Sequence, residues 1–225
     1  MTVQKLARYF DHTVLKPDAT AEDILSLCHQ ARQWNFATVC VAPDWVAFAH
    51  DMLKDSDVLV ASVAGFPHGN TLSQIKAQET QLALEAGAME VDMVMAIGQA
   101  KQGAWRQVEA DIRGVVEAAR SKPGAIVKVI FENALLTKEE IQKACFICNA
   151  AGAHYVKTST GFASSGATLE DVRLMRRYAQ PDVGVKAAGG IRDLETALAM
   201  IEAGATRLGS SASVKIVEEF QKREA

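Results

Sequence analysis

Eight short β-branched runs alternate with helix-like segments along almost the whole chain, and that alternation limits the possible folds more than any other feature. The runs are DHTVL (11–15), ATVCVA (37–42), VLVASVAGF (58–66), MEVDMVMA (89–96), AIVKVIFE (125–132), HYVKTSTG (154–161), VGVKAAGG (183–190) and TRLGSSA (206–212). In the intervening segments a threonine is followed three residues later by an acid or glutamine: Thr20/Asp23, Thr71/Gln74, Thr137/Glu140 and Thr168/Asp171. Such pairs satisfy free N–H groups of a first helical turn. After Thr20, the spacing of Ile24, Leu27, Cys28, Ala31 and Trp34 gives one apolar helix face. Strands that alternate with helices pair in parallel through right-handed crossovers. The expected fold is therefore α/β, a (β/α)8 TIM barrel occupying residues 1–225 as one domain, slightly under the roughly 250 residues usual for that fold.

An internal repeat adds geometry. Ala-Gly-Ala occurs at 86–88, 151–153 and 203–205, each time between a helix pattern and a strand. Gly87, Gly152 and Gly204 suit the left-handed position that ends a helix. Five residues beyond them stand Asp92, Lys157 and Gly209, and Cys40 stands five beyond Asn35, which tolerates the same conformation. Equal offsets from equivalent turns predict that these four residues share one height in their strands.

Alternate strand residues face opposite sides. Asp92, Lys128, Lys157 and Lys186 each sit between apolar or small neighbours, so they point into the barrel if those neighbours face the helices. Ionised groups there are costly unless paired. Parallel sheets are covered on both faces, which argues against a solvated face, and charges near strand C-termini mark the catalytic end of such a barrel. An ordinary lysine has a pKa near 10.4, so only about one in 2,500 is a neutral amine at pH 7. Burial and a neighbouring cation both lower that value and create a nucleophile for carbonyls. Lys157 and Lys186 fall on successive strands, close enough to perturb each other, with Asp92 to offset charge and carry protons. The chemistry expected is Schiff-base formation without a metal or cofactor.

Three small-residue loops follow the later strands: Ser-Thr-Gly (159–161), Ala-Gly-Gly (188–190) and Gly-Ser-Ser (209–211). Glycine permits close backbone approach, helix N-termini offer N–H groups to anions, and the loops after the last two strands of these barrels often hold phosphate. The remaining signals exclude other classes. A net charge of −3 at 23% charged residues offers no field for nucleic acid or an anionic membrane. No apolar run approaches a membrane span. The opening MTVQKLARYFDHTVLK has charges within any apolar stretch and does not read as a signal peptide. Four cysteines are too few for a disulfide scaffold, so the expected compartment is the cytoplasm. Cys145 and Cys148 fall within a helix pattern, and the five histidines lack metal-ligand spacing.

DHTVLKPDAT (11–20), VCVAP (39–43), VAGFPHG (63–69), EVDMVM (90–95), VKVIFEN (127–133), YVKTSTGF (155–162), GVKAAGGIRD (184–193) and RLGSS (207–211) together resemble the deoxyribose-phosphate aldolase family. The resemblance covers Asp11 to about Ser211, and VKTSTG with VKAAGG is its most specific part. It implies reversible cleavage of 2-deoxy-D-ribose 5-phosphate to D-glyceraldehyde 3-phosphate and acetaldehyde, in deoxyribose phosphate catabolism. It implies Lys157 as the Schiff-base lysine, with Lys186 and Asp92 as proton donor and acceptor. It further implies Asp11, Thr13, Cys40 and Lys128 at the sugar end, and Gly161, Gly189, Gly190, Gly209 and Ser211 at the phosphate end. Phe162 and Ala163 stand where some relatives carry a second lysine. The chain closes on QKREA where some relatives have a tyrosine that folds back, which leaves proton exchange to water and Lys186. The expected partner is a small sugar phosphate, and outer helix faces leave room for a homodimer or homotetramer. Two other readings stay open at the level of residues: a lysine aldolase or transaldolase with a different donor, and a non-catalytic sugar-phosphate-binding barrel.

Overall fold

The computed structural model describes residues 1–224; the last residue of the closing QKREA, Ala225, lies outside the described residues. Eight parallel strands close in sequence order: β1 Phe10–Val14, β2 Thr38–Val41, β3 Leu59–Ala64, β4 Glu90–Val94, β5 Ile126–Ile130, β6 Tyr155–Lys157, β7 Gly184–Ala188 and β8 Arg207–Ser210. Each lies within a run expected from the sequence, apart from one residue at the start of β1. Helices α1 Val3–Ala7, α2 Ala21–Trp34, α3 Val46–Leu53, α4 Ser73–Glu85 and α5 Ile97–Lys101 belong to the first half. They are followed by α6 Trp105–Ala119, α7 Lys138–Ala151, α8 Leu169–Tyr178, α9 Leu194–Glu202 and α10 Ser213–Glu224. Among the described residues no helix is long and apolar enough to cross a membrane.

Local chemistry accounts for most helix ends. Thr20 and Thr137 form reciprocal capping boxes with Asp23 and Glu140, and the Thr168 hydroxyl accepts from Asp171 N–H. Thr71 does not cap α4. Leu72 occupies that position without a side-chain bond, and Gly65 N–H donates to Glu79 at 2.7 Å. The entry to α4 is therefore tied through its second turn rather than through a capping threonine. Asn35 and Gly152 end α2 and α7 in the left-handed region, and Gly87 and Gly204 have positive φ after α4 and α9.

The apolar core lies between strands and helices. Val39, Val91, Met93, Val127, Val129, Val156, Val185 and Leu208 are fully buried in that layer. Their alternates fill the barrel, and the register fixes the heights of those residues. Asp92 pairs with Lys128 and Lys157 with Ile130, so passing from β4 to β6 climbs two residues on β5. The same two-residue step recurs on β7 (Lys186 to Ala188), β1 (Asp11 to Thr13) and β3 (Ala61 to Val63). Four such steps close a shear of eight, the value of this barrel class. Cys40, Asp92, Lys157 and Gly209 thus form one layer from the even strands, as their equal offsets predict. Asp11, Ala61, Lys128 and Lys186 lie half a step below.

Outside the barrel, α4 and α6 enclose a second buried charge pair. Lys76 Nζ donates to Asp111 Oδ2 at 2.7 Å and to the Val94 carbonyl at 2.9 Å. Burial holds this amine below the usual lysine range, with Asp111 opposing.

Candidate active site

The strands bring the charged residues onto shared atoms. Asp92 Oδ2 accepts from Lys157 Nζ at 2.7 Å and from Lys186 Nζ at 2.6 Å, while Asp92 Oδ1 accepts from Lys128 at 2.7 Å. Lys186 also donates to Asp11 Oδ2. Lys128 reaches Glu90 at 2.6 Å and Asp11 at 3.5 Å, and Arg207 bridges Asp11 (2.6 Å) and Glu90 (3.2 Å) from beneath. All of these side chains are buried or nearly so. Three carboxylates (Asp11, Glu90, Asp92) face three cations (Lys128, Lys186, Arg207). The interior is electrically balanced when Lys157 is an uncharged amine, and a proton there adds a positive charge in a low-dielectric space.

The titration tendencies agree with that balance. Burial lowers the Lys157 amine below the ordinary lysine range; Asp92 pulls it back up and the Lys186 ammonium pushes it further down. Of the two effects expected to lower it, burial leads. For Lys186 burial also works against the charge, but Asp11 and Asp92 more than offset it and hold the ammonium above the usual range. Lys128 is raised well above that range, since Asp92, Glu90 and Asp11 outweigh its burial. Burial would raise the Asp92 carboxyl, yet Lys128, Lys157 when it is protonated, and Lys186 keep it well below ordinary carboxylates. Burial pushes the Cys40 thiol up to about 11, which keeps it protonated at neutral pH.

Above this network a cavity of about 410 Å³ opens at the C-terminal ends of β6, β7, β8 and β1. Of the residues expected at the site, Thr13, Lys157, Gly161, Gly189, Gly190, Gly209 and Ser211 line it. Asp92, Lys186 and Cys40 do not line it, and Asp92 and Lys186 connect to it through Lys157. Asp11 and Lys128, expected at the sugar end, sit in the charge network in the layer beneath Lys157, where their side chains pair with opposite charges. Lys157 is the amine of the network that lines the cavity.

Glycines at and beside the cavity wall stand where a side chain would meet close neighbours or a backbone conformation that side chains seldom adopt. A Cβ on Gly209 would lie 3.0 Å from Ala188 Cβ and 3.1 Å from Lys186 Cε. A Cβ on Gly166 would lie 2.1 Å from the Gly189 carbonyl oxygen, while Gly161, Gly189 and Gly190 all have positive φ. Two cations also line the cavity, Lys16 and Arg192. Sequence reasoning missed them, and it missed Glu90 and Arg207 below. Glu90 had a signal, since it precedes Asp92 by two and shares its face. Arg207 is the lone ionisable residue of TRLGSSA. Phe162 stands edge-on to Phe66 with ring centres 5.4 Å apart, joining the loops after β6 and β3 at the mouth.

Comparison with known proteins adds a lineage to this geometry. The family model described as DeoC/LacD family aldolase matches residues 5–216. A deoxyribose-phosphate aldolase from Geobacillus sp. (strain WCH70) is 54% identical over 213 residues, which cover 95% of each chain. One from Streptococcus mutans is 55% identical over 214 residues, 95% of this chain and 96% of the relative. Among solved structures, the tetrameric deoxyribose phosphate aldolase from Aeropyrum pernix superposes with a TM-score of 0.92 at 34% identity, covering 99% of this chain and 93% of that one. A buried lysine open to a glycine-walled cavity and a family match spanning nearly the whole barrel lead to one conclusion: the chain belongs to the DeoC/LacD family of aldolases.

Proposed function

We propose that this protein is a class I deoxyribose-phosphate aldolase, a lyase that cleaves 2-deoxy-D-ribose 5-phosphate reversibly to D-glyceraldehyde 3-phosphate and acetaldehyde with Lys157 as its Schiff-base lysine. The observation that carries the reading is the placement of Lys157: a buried amine, lowered in pKa, at the floor of the cavity and bonded to the carboxylate oxygen that Lys186 shares. The identity to aldolases of this specificity supports the substrate.

In this mechanism the neutral Lys157 amine attacks C1 of the open-chain sugar and forms a carbinolamine. The Lys186 ammonium, with Asp92 relaying, protonates the departing hydroxyl, which leaves as water. The resulting iminium is an electron sink. The C3 hydroxyl gives its proton to the Asp92–Lys186 pair, the C2–C3 bond breaks, and its electrons form an enamine with the iminium. C3 becomes the aldehyde of glyceraldehyde 3-phosphate. Protonation at C2 and hydrolysis release acetaldehyde and restore the amine. Gly161, Gly189, Gly190, Gly209 and Ser211 hold the phosphate, and Thr13 flanks the sugar. Lys16 and Arg192 bring positive charge to the same cavity.

Sodium borohydride added with substrate reduces the iminium and tags the lysine that formed it. Peptide mapping is expected to place the tag on Lys157, and a Lys157→Ala protein that still becomes tagged refutes the assignment. Activity with dihydroxyacetone but not acetaldehyde as donor refutes the substrate. The reading extends to a cytoplasmic enzyme, in keeping with four free, buried cysteines, and to a homodimer or homotetramer. The tetrameric A. pernix relative and the exposed Ile75 and Leu82 of α4 support self-association. Sedimentation velocity showing only monomer at micromolar concentration sinks that part.

A further inference from the structure

Glu132 follows β5 in the left-handed region, at φ 59° and ψ 66°, a conformation that side chains other than glycine seldom adopt and that concentrates at functional sites. Its carboxylate is buried, and among the described residues no cation pairs with it. Its two oxygens both hold Thr160: one accepts from Thr160 N–H at 3.3 Å, the other from the Thr160 hydroxyl. That hydroxyl in turn accepts from Phe162 N–H at 3.0 Å. The backbone turn at Glu132 has its own effect. Phe131 N–H donates to the Lys157 carbonyl (3.0 Å) and Asn133 N–H to the Thr158 carbonyl (2.9 Å). Two residues after β5 are thus matched to one after β6, in the manner of a bulge that re-aims a chain.

We propose that Glu132 is a positioning residue for the loop that leaves the reactive lysine. It fixes the cavity wall made by Thr160, Gly161 and Phe162, and through that wall it sets the preference for phosphorylated over unphosphorylated sugar. The preference rests on the function proposed above; the positioning does not. With its N–H and hydroxyl both turned to Glu132, Thr160 is held where it, Gly161 and Phe162 line the cavity. Without the carboxylate, the Thr160 N–H and hydroxyl lose their buried acceptor, and the loop relaxes around the flexible Gly161.

The test separates the backbone turn from the carboxylate. Glu132→Gly keeps the left-handed turn and removes the acceptor; Glu132→Gln keeps an oxygen for Thr160 N–H. For Glu132→Gly, which loses both bonds to Thr160, the ratio of kcat/KM on 2-deoxyribose 5-phosphate to that on 2-deoxyribose is expected to fall at least about tenfold, the lower end for even a single lost charge-assisted hydrogen bond. The fall lies in KM for the phosphorylated sugar, and hydrogen exchange at the Thr160 amide accelerates. Glu132→Gln is expected to recover most of both. Thr160→Val, which keeps Glu132, should lower the ratio in the same direction, and Thr160→Ser should not. Equal losses on both sugars, or native exchange at Thr160 in Glu132→Gly, overturn the proposal. A parent protein that cleaves neither sugar sinks the functional reading, and the exchange measurement then decides the positioning role on its own.

Discussion

Replacing Lys186 with leucine removes the ammonium that helps keep Lys157 uncharged. The two nitrogens share Asp92 Oδ2 at 2.7 and 2.6 Å, so they lie at most about 5.3 Å apart. At that separation and an effective dielectric near 20, repulsion between two unit charges is about 3 kcal/mol, on the order of a 100-fold change in the neutral fraction of Lys157. Asp92 loses a partner as well and attracts a proton on Lys157 more strongly, in the same direction. The expected outcome for Lys186→Leu is a loss of kcat/KM near neutral pH of at least roughly 100-fold, with the acid limb of the pH profile moved upward. Part of the activity should return at higher pH, where Lys157 regains its lone pair, though not all, since Lys186 is also the proton donor. The assay is the pH dependence of cleavage, coupled to detection of glyceraldehyde 3-phosphate, with borohydride trapping over the same range. An acid limb that stays in place refutes the coupling, whatever the size of the rate loss.

The unmodified enzyme should show a bell-shaped profile. Lys157, lowered, gains a proton only below the ordinary lysine range, so activity rises with pH through that limb, whereas Lys186, raised, loses its proton only above that range; an acid limb at the ordinary lysine value contradicts this. Gly209→Ala places a methyl 3.0 Å from Ala188 Cβ and 3.1 Å from Lys186 Cε. It is expected to cost about 1–3 kcal/mol of stability by overpacking and to raise KM, measured by denaturant melts and steady-state kinetics. Lys76→Met strands Asp111 in the helix layer and should cost about 3–5 kcal/mol, as for other broken buried pairs. Borohydride labelling of Lys157 should nonetheless stay at the native level in that folded variant, and loss of labelling would tie this pair to the site. Asp11 and Asp92 are held below their ordinary range, so their stabilisation is full above about pH 3.9 and is lost as pH falls through their depressed values. Acid unfolding monitored by circular dichroism should therefore have its midpoint below that pH.

The order of strands and helices, the height of Lys157 and the capping of α2, α7 and α8 were legible in the sequence because they depend on local chemistry and fixed offsets. A threonine that meets its own third N–H, or a glycine that ends a helix five residues before a strand position, needs no distant partner to be recognised. The entry to α4 was misread for the complementary reason: the acceptor that ties its loop, Glu79, comes from the second turn of the helix itself. Glu132 escaped notice because its φ and its grip on Thr160, 28 residues away, have no signature in the string VIFEN.

The sequence by itself determined that four charged residues would face into a parallel barrel, since the strand period of two and the covered faces leave them no other side. Only the tertiary structure decided which of them meet the cavity. Closure of the sheet with a two-residue climb at every second strand puts Lys157 one half-step above Lys128 and Lys186. The lower lysines are thereby enclosed by Asp11, Glu90 and Asp92 and keep their charge, while the upper one is buried and lowered in pKa yet open at the mouth. Register around a closed barrel is a property of eight strands together, and no single stretch of chain carries it.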